Sequence, residues 1–239
     1  MNNYQIIAHR GASGYAPENT LAAFRKAYQL QVKSVEFDVV LSKDGIPIIF
    51  HDKTTTRTTN LANKHITDLS LQQIKQLDAG CWFAPEFYAE PIPTFKETLQ
   101  FLVTHNMQAH IELKTHPGYE TPTVTQVLAE FRATWPKNLS AIFSSFDLAM
   151  LHTLREHDSS LSLALTRRVW DKNGMSILRE LDCQAMHLNA LYITQQQIAN
   201  LKESNYAVRC YTVDDPQHAK LLFKWGVDSI FTNYPDRFI

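Results

Sequence analysis

At 239 residues, 44% of them hydrophobic, the chain has the usual size of an α/β barrel and enough apolar residues for a sizeable core, so one domain is the default. Its 23 Lys and Arg against 24 Asp and Glu leave a formal charge of -1, which excludes an overall field attracting nucleic acid or an anionic membrane; any positive site has to be local. The widely spaced Cys81, Cys183 and Cys210 form neither a metal-ligand spacing nor a disulfide framework, which fits a reducing compartment.

Met1-Asn2-Asn3 leads into a strand-like run from Tyr4 to Ala8, with no basic n-region, no apolar h-region and no long apolar span, so a soluble cytoplasmic protein without stable membrane association is expected. That first strand ends in His9-Arg10-Gly11, where Gly11 and Gly14 turn the chain into an irregular loop and expose His9 and Arg10 at a strand end. Pro17-Glu18-Asn19-Thr20 then introduces a helix with Leu21, Phe24, Ala27 and Tyr28 at helical spacing, and Asn19 and Thr20 are both read as capping residues. In the next strand Glu36 and Asp38 lie two apart and point to the same face. Two such carboxylates repel, and a hard divalent cation with oxygen ligands is the simplest countercharge. Asp44-Gly45 makes a turn, and the apolar run 46–50 carries the chain to His51.

About 55 residues separate His51 from the next convincing strand, more than one loop and one helix need, which predicts an insertion at about 52–91. It holds a short helix over 69–77 and the aromatics Trp82, Phe83, Phe87 and Tyr88, which either form the insertion's own small core or line a substrate entrance. A second helix runs over 93–105. From residue 108 short apolar strands at 109–113, 140–144, 161–165, 185–188, 207–211 and 229–232 alternate with helical patterns at 121–134, 147–157, 174–181, 194–204 and 216–225. With the first two strands this gives eight βα units without a clear final helix, and so a (β/α)8 TIM barrel with a small insertion after strand two. An open doubly wound sheet is the alternative, but no strand is followed by a Gly-rich dinucleotide loop.

Active sites of such barrels gather at the C-terminal strand ends. There the strand ends bring together His9 and Arg10, Glu36 and Asp38 with His51 beyond, and Glu112 and Lys114, a pair that repeats the Glu36/Asp38 spacing with one charge reversed. Carboxylates for a cation, basic groups for phosphoryl oxygens and two histidines for proton transfer on both sides of phosphorus suit phosphate-ester chemistry. A zinc hydrolase would open with two histidines one residue apart on strand one, where Arg10 and Gly11 follow His9. A phosphosugar isomerase or aldolase would carry a glycine-rich loop after strands seven or eight, which Asp214-Asp215-Pro216 and Asn233-Tyr234-Pro235 do not supply. A non-catalytic phosphodiester-binding protein would have little use for intact His9 and His51.

The runs HRGASGYAPENTLAAF, VEFDVVLSKDGIPIIFHD, HIELK and GVDSIFTNYPD resemble the glycerophosphodiester phosphodiesterases, especially their short bacterial cytosolic members, over nearly the whole chain. The resemblance implies a TIM barrel that hydrolyses a small-molecule glycerophosphodiester to sn-glycerol 3-phosphate and an alcohol such as choline or ethanolamine. It implies a divalent cation, Mg2+ or Ca2+, on Glu36, Asp38 and Glu112. It also implies His9 as general base, His51 as general acid, and Arg10 and Lys114 toward the phosphate. Two residues depart from the family pattern: Tyr211 stands where tryptophan is frequent and would still offer an aromatic wall to substrate, and His110 stands where asparagine is frequent and is read as a hydrogen-bonded core histidine. An insertion over the mouth favours small head groups, which leaves lysophospholipase D-type cleavage as a minor alternative.

Overall fold

The computed structural model describes residues 5–239, so Tyr4 of the expected first strand lies outside the described residues. Eight short apolar runs become parallel strands: β1 (Gln5–His9), β2 (Ser34–Leu41), β4 (Gln108–Leu113), β5 (Ala141–Ser145), β6 (Leu163–Arg167), β7 (Ala185–Asn189), β8 (Ala207–Tyr211) and β9 (Ser229–Thr232). A hairpin strand, β3 (Pro47–Ile49), pairs antiparallel with β2 after the turn at Gly45, whose φ is +78°. Pairing of β1 with both β9 and β2 closes the sheet into a (β/α)8 TIM barrel.

All eight residues of β2 are buried, because one face looks into the barrel and the other packs under helices. On the outer face Phe37 meets Phe24 of α1 (Leu21–Gln29) and Phe95 of α3 (Phe95–Thr104), with ring centroids 5.8 and 6.2 Å apart. Tyr28, expected on the apolar face of α1, is instead 48% exposed and meets the ring of His105 at 4.4 Å. The remaining outer helices are α4 (Glu120–Thr134), α5 (Leu148–His157), α6 (Gly174–Glu180), α7 (Gln195–Glu203) and α8 (Pro216–Trp225), and the chain closes on a single 3-10 turn, Pro235–Phe238, in place of a last helix.

The barrel interior is layered. At its base Gln5 Nε2 donates to Ser34 Oγ and Gln108 Oε1, both at 2.8 Å, beside the small cluster of Ile142, Ala164 and Ala185. Above it His110, His187 and Phe231 pack ring to ring, and Arg209 reaches His187 Nε2 at 3.3 Å. His110 is buried as expected, yet among the described residues its Nδ1 has no hydrogen-bond partner, and the rings it packs against are those of His187 and Phe231.

Between β3 and α3 the chain makes two 3-10 turns, Ile66–Asp68 and Pro85–Phe87, and one short helix, α2 (Leu71–Ile74), capped by Ser70. The apolar side chains of the first turn and of α2 form a separate small core with Val40, Ile48 and Phe50 of the hairpin and Ile92. Trp82, Phe83 and Phe87 stack edge to face in sequence, 5.5 Å apart at each step. Gly80 makes this possible: a Cβ there would stand 1.8 Å from the Phe87 carbonyl oxygen.

Candidate active site

Strand register assembles the site. His9 stands opposite Glu36, and Asp38 opposite Glu112, so three carboxylates and a histidine from β1, β2 and β4 share one level at the C-terminal end of the barrel. His9, Arg10, Glu36, Asp38, His51, Glu112, Lys114 and Tyr211 all line one cavity at this mouth. Trp82, Phe83, Phe87 and Tyr88 do not line it, and they do not belong to the insertion's small apolar core either.

Glu36, Asp38 and Glu112 each offer a carboxylate oxygen, and the three oxygens lie within 4.8 Å of one another. Asp38 is the best neutralised: Lys114 Nζ stands 2.9 Å from Oδ1 and Arg10 Nε 3.2 Å from Oδ2. Burial pushes its carboxyl up, but the two cations outweigh that and hold it well below the usual carboxylate range. Lys114 also bonds Glu112, whose carboxyl burial still raises. Glu36 has the backbone N–H of Arg10 at 3.0 Å and, among the described residues, no Lys or Arg side chain within bonding reach; burial and then the charges of Asp38 and Glu112 push it far up. An all-oxygen cluster short of positive charge at one corner fits a hard divalent cation, which Glu36, Asp38 and Glu112 would hold.

The two histidines are oriented by different partners. Asn233 gives its N–H and Nδ2 to Asp214 at 2.8 and 2.7 Å, which leaves its Oδ1 to accept from His9 Nδ1 at 2.8 Å. His9 therefore carries its proton on Nδ1 and keeps a lone pair on Nε2, 4.0 Å from Glu36. Burial, then the charge of Arg10, lowers its pKa to about 4 and keeps the ring neutral. His51 gives Nδ1–H to Asp52 Oδ1 at 2.6 Å, a charge-assisted bond that fixes the ring and turns Nε2 outward. Burial pushes Asp52 up, yet hydrogen bonds from Arg57 and His51 bring it down to about 2.

Arg57, on the insertion, forks twice: to Asp52 at 2.7 and 2.8 Å and to Glu18 at 2.6 and 2.7 Å. Glu18 in turn accepts from Arg10 Nη1 at 2.7 Å. The residue types gave no reason to single out Arg57, Glu18 or Asn233; the adjacency of Asp52 to His51 was a usable signal. Asn19 is a correction: Thr20 alone caps α1, accepting from Ala23 N–H at 3.2 Å, while Asn19, at φ +58°, turns its amide inward and donates to Asp38 Oδ2 at 2.8 Å. Arg10 also holds a left-handed φ of +54°, strain that aims its N–H at Glu36 and its side chain over Asp38. Tyr211 ends β8, gives its hydroxyl proton to the Arg167 carbonyl at 3.0 Å and faces Phe146 at 6.0 Å.

The profile of the glycerophosphoryl diester phosphodiesterase family matches residues 9–237. The chain is 32% identical to the glycerophosphodiester phosphodiesterase of Bacillus altitudinis over 241 residues, covering 98% of this chain and 96% of that protein. It is 30% identical to the glycerophosphodiester phosphodiesterase of Caldanaerobacter subterraneus over 238 residues, covering 98% and 96%. Among solved structures, a phosphodiesterase from Oleispira antarctica in complex with the product sn-glycerol-3-phosphate superposes with a TM-score of 0.95 at 36% identity, covering 98% of this chain and 94% of that one. Fold, matched family and full-length relatives agree: the chain belongs to the glycerophosphoryl diester phosphodiesterase family and is a phosphodiesterase.

Proposed function

We propose that the protein hydrolyses small soluble glycerophosphodiesters to sn-glycerol 3-phosphate and an alcohol, with His9 and His51 as a divided acid-base pair and a divalent cation, Mg2+ or Ca2+, on Glu36, Asp38 and Glu112. The observation that carries this reading is the unequal setting of the two histidines: His9 is neutral, with Nε2 free and Nδ1 given to an amide oxygen, whereas His51 is bonded to a carboxylate. Bound there, the cation would offset the charge of the phosphoryl oxygens.

His9 Nε2 takes the proton of the attacking oxygen, either of water or of the substrate's own glycerol hydroxyl, which closes a cyclic phosphate that water then opens to sn-glycerol 3-phosphate. His51, its ring held by Asp52, gives a proton to the departing alkoxide. Arg10 and Lys114 supply fixed positive charge to the non-bridging oxygens, and Lys114 exchanges part of its contact with Asp38 for the phosphate. Tyr211 and Phe146 make an aromatic wall along the cavity.

Phosphorus NMR of glycerophosphoethanolamine, glycerophosphocholine and lysophosphatidylcholine incubated with the protein tests the reading. Conversion of the first two to sn-glycerol 3-phosphate, abolished by chelator and restored by Mg2+ or Ca2+, is expected. Full turnover in excess chelator would remove the cation, and faster cleavage of the lysophospholipid would change the substrate class.

A further inference from the structure

Four of the ten exposed large apolar side chains among the described residues fall on adjoining loops. Phe146, Val169, Leu191 and Tyr192, at 43%, 58%, 76% and 47% exposure, follow the consecutive strands β5, β6 and β7 and stand on one side of the mouth. They adjoin one another: Arg167 Nη1 donates to the Phe146 carbonyl at 2.9 Å, and the guanidinium of Arg168, the neighbour of Val169, lies 6.0 Å from the centre of the Tyr192 ring. Scattered single apolar side chains need no explanation; four on adjoining loops make a patch. Around it the exposed charges are Arg168 and Lys172, both cations. The acidic Asp147 and Asp171 of the same loops are half-buried and spend an oxygen on backbone N–H groups at 2.7 and 2.9 Å.

We propose that this lip docks the enzyme reversibly on an anionic phospholipid surface, with Val169 and Leu191 entering the acyl boundary and Arg168 and Lys172 meeting lipid phosphates. Aliphatic tips, a tyrosine and flanking basic residues are the composition that settles at headgroup level, and a set this small gives weak, reversible attachment. A second copy of the chain fits less well, because a two-fold contact sets the patch against itself and offers Arg168 and Lys172 no exposed anion. The benefit of facing a bilayer rests on the proposed substrate class: a glycerophosphodiester is a glycerophospholipid without its acyl chains, so deacylation of lipids at a membrane must supply it.

Co-sedimentation with extruded vesicles of phosphatidylglycerol and phosphatidylcholine in equal parts, against vesicles of phosphatidylcholine alone, tests the lip. The protein is expected to bind the anionic vesicles on the order of tenfold more tightly. The V169D/L191D variant should lose about tenfold or more of that binding and hydrolyse soluble glycerophosphoethanolamine at the unmodified rate, and R168E/K172E should abolish the anionic preference. No sedimentation with anionic vesicles, or unchanged sedimentation of V169D/L191D, would overturn the proposal. So would a dimer in light scattering that V169D/L191D dissociates, since a second copy would then own the lip. Hydrolysis is read without vesicles, so failure of the catalytic reading leaves the sedimentation result intact.

Discussion

Arg57 joins the two sides of the mouth through one planar guanidinium, holding Asp52 behind His51 and Glu18 behind Arg10. It touches no substrate in the proposed mechanism and acts by fixing groups that do. Arg57→Met should therefore lower turnover about 10–100-fold, the usual cost of losing an orienting partner, and Arg57→Lys should recover little, because an ammonium cannot fork to two carboxylates. Steady-state kinetics of the two variants on glycerophosphoethanolamine check this, and near-normal turnover in Arg57→Met would deny it a positioning role. Glu36, Asp38, Glu112 and Lys114 were legible in the sequence because strand periodicity alone decides which side chains share a face. Asn233 was not, since its meeting with His9 spans 224 positions and depends on barrel closure. Nor was Asn19, whose type favours a cap and whose left-handed backbone is invisible before folding.

The insertion shows where element-level reading reached its limit. Its presence followed from chain length between strands, but the apolar run over 69–77 yields only the four residues of α2 as α-helix, because the rest closes a small irregular core of its own. Likewise β6 begins at Leu163 rather than 161, since Leu163 is its first residue to pair with β5. That small core is predicted to govern activity through Arg57. Ile74, fully buried in it, should on truncation to alanine cost about 2–5 kcal/mol locally. Hydrogen exchange should then speed up in the insertion while the barrel strands keep their protection, and turnover should fall as Arg57 loses its place. Equal loss of protection in β4 to β9 would mean that insertion and barrel unfold as one unit.

For the whole molecule, the interior layer beneath the site sets a pH dependence. Burial, then the charge of Arg209, holds His110 and His187 well below their ordinary value, so they are neutral when folded and titrate near 6.5 when unfolded. Between those values the unfolded chain binds more protons, so their contribution to stability is present above about pH 6.5 and is lost as pH falls. Melting temperature should drop from pH 7.5 to pH 5, and His187→Gln, which keeps an acceptor for Arg209, should flatten the drop; parallel curves would refute it.

The division of labour between the histidines is tested most directly by changing the leaving group. A p-nitrophenyl phosphodiester needs little protonation as it departs, whereas the ethanolamine of glycerophosphoethanolamine leaves as a poor alkoxide. With His51 as the acid, His51→Ala should lose about 10²–10⁴-fold on the natural diester and far less on the nitrophenyl ester, while His9→Ala loses comparably on both. The reverse pattern would exchange the two roles, and losses of about tenfold or less in both variants on both substrates would contradict two-histidine catalysis.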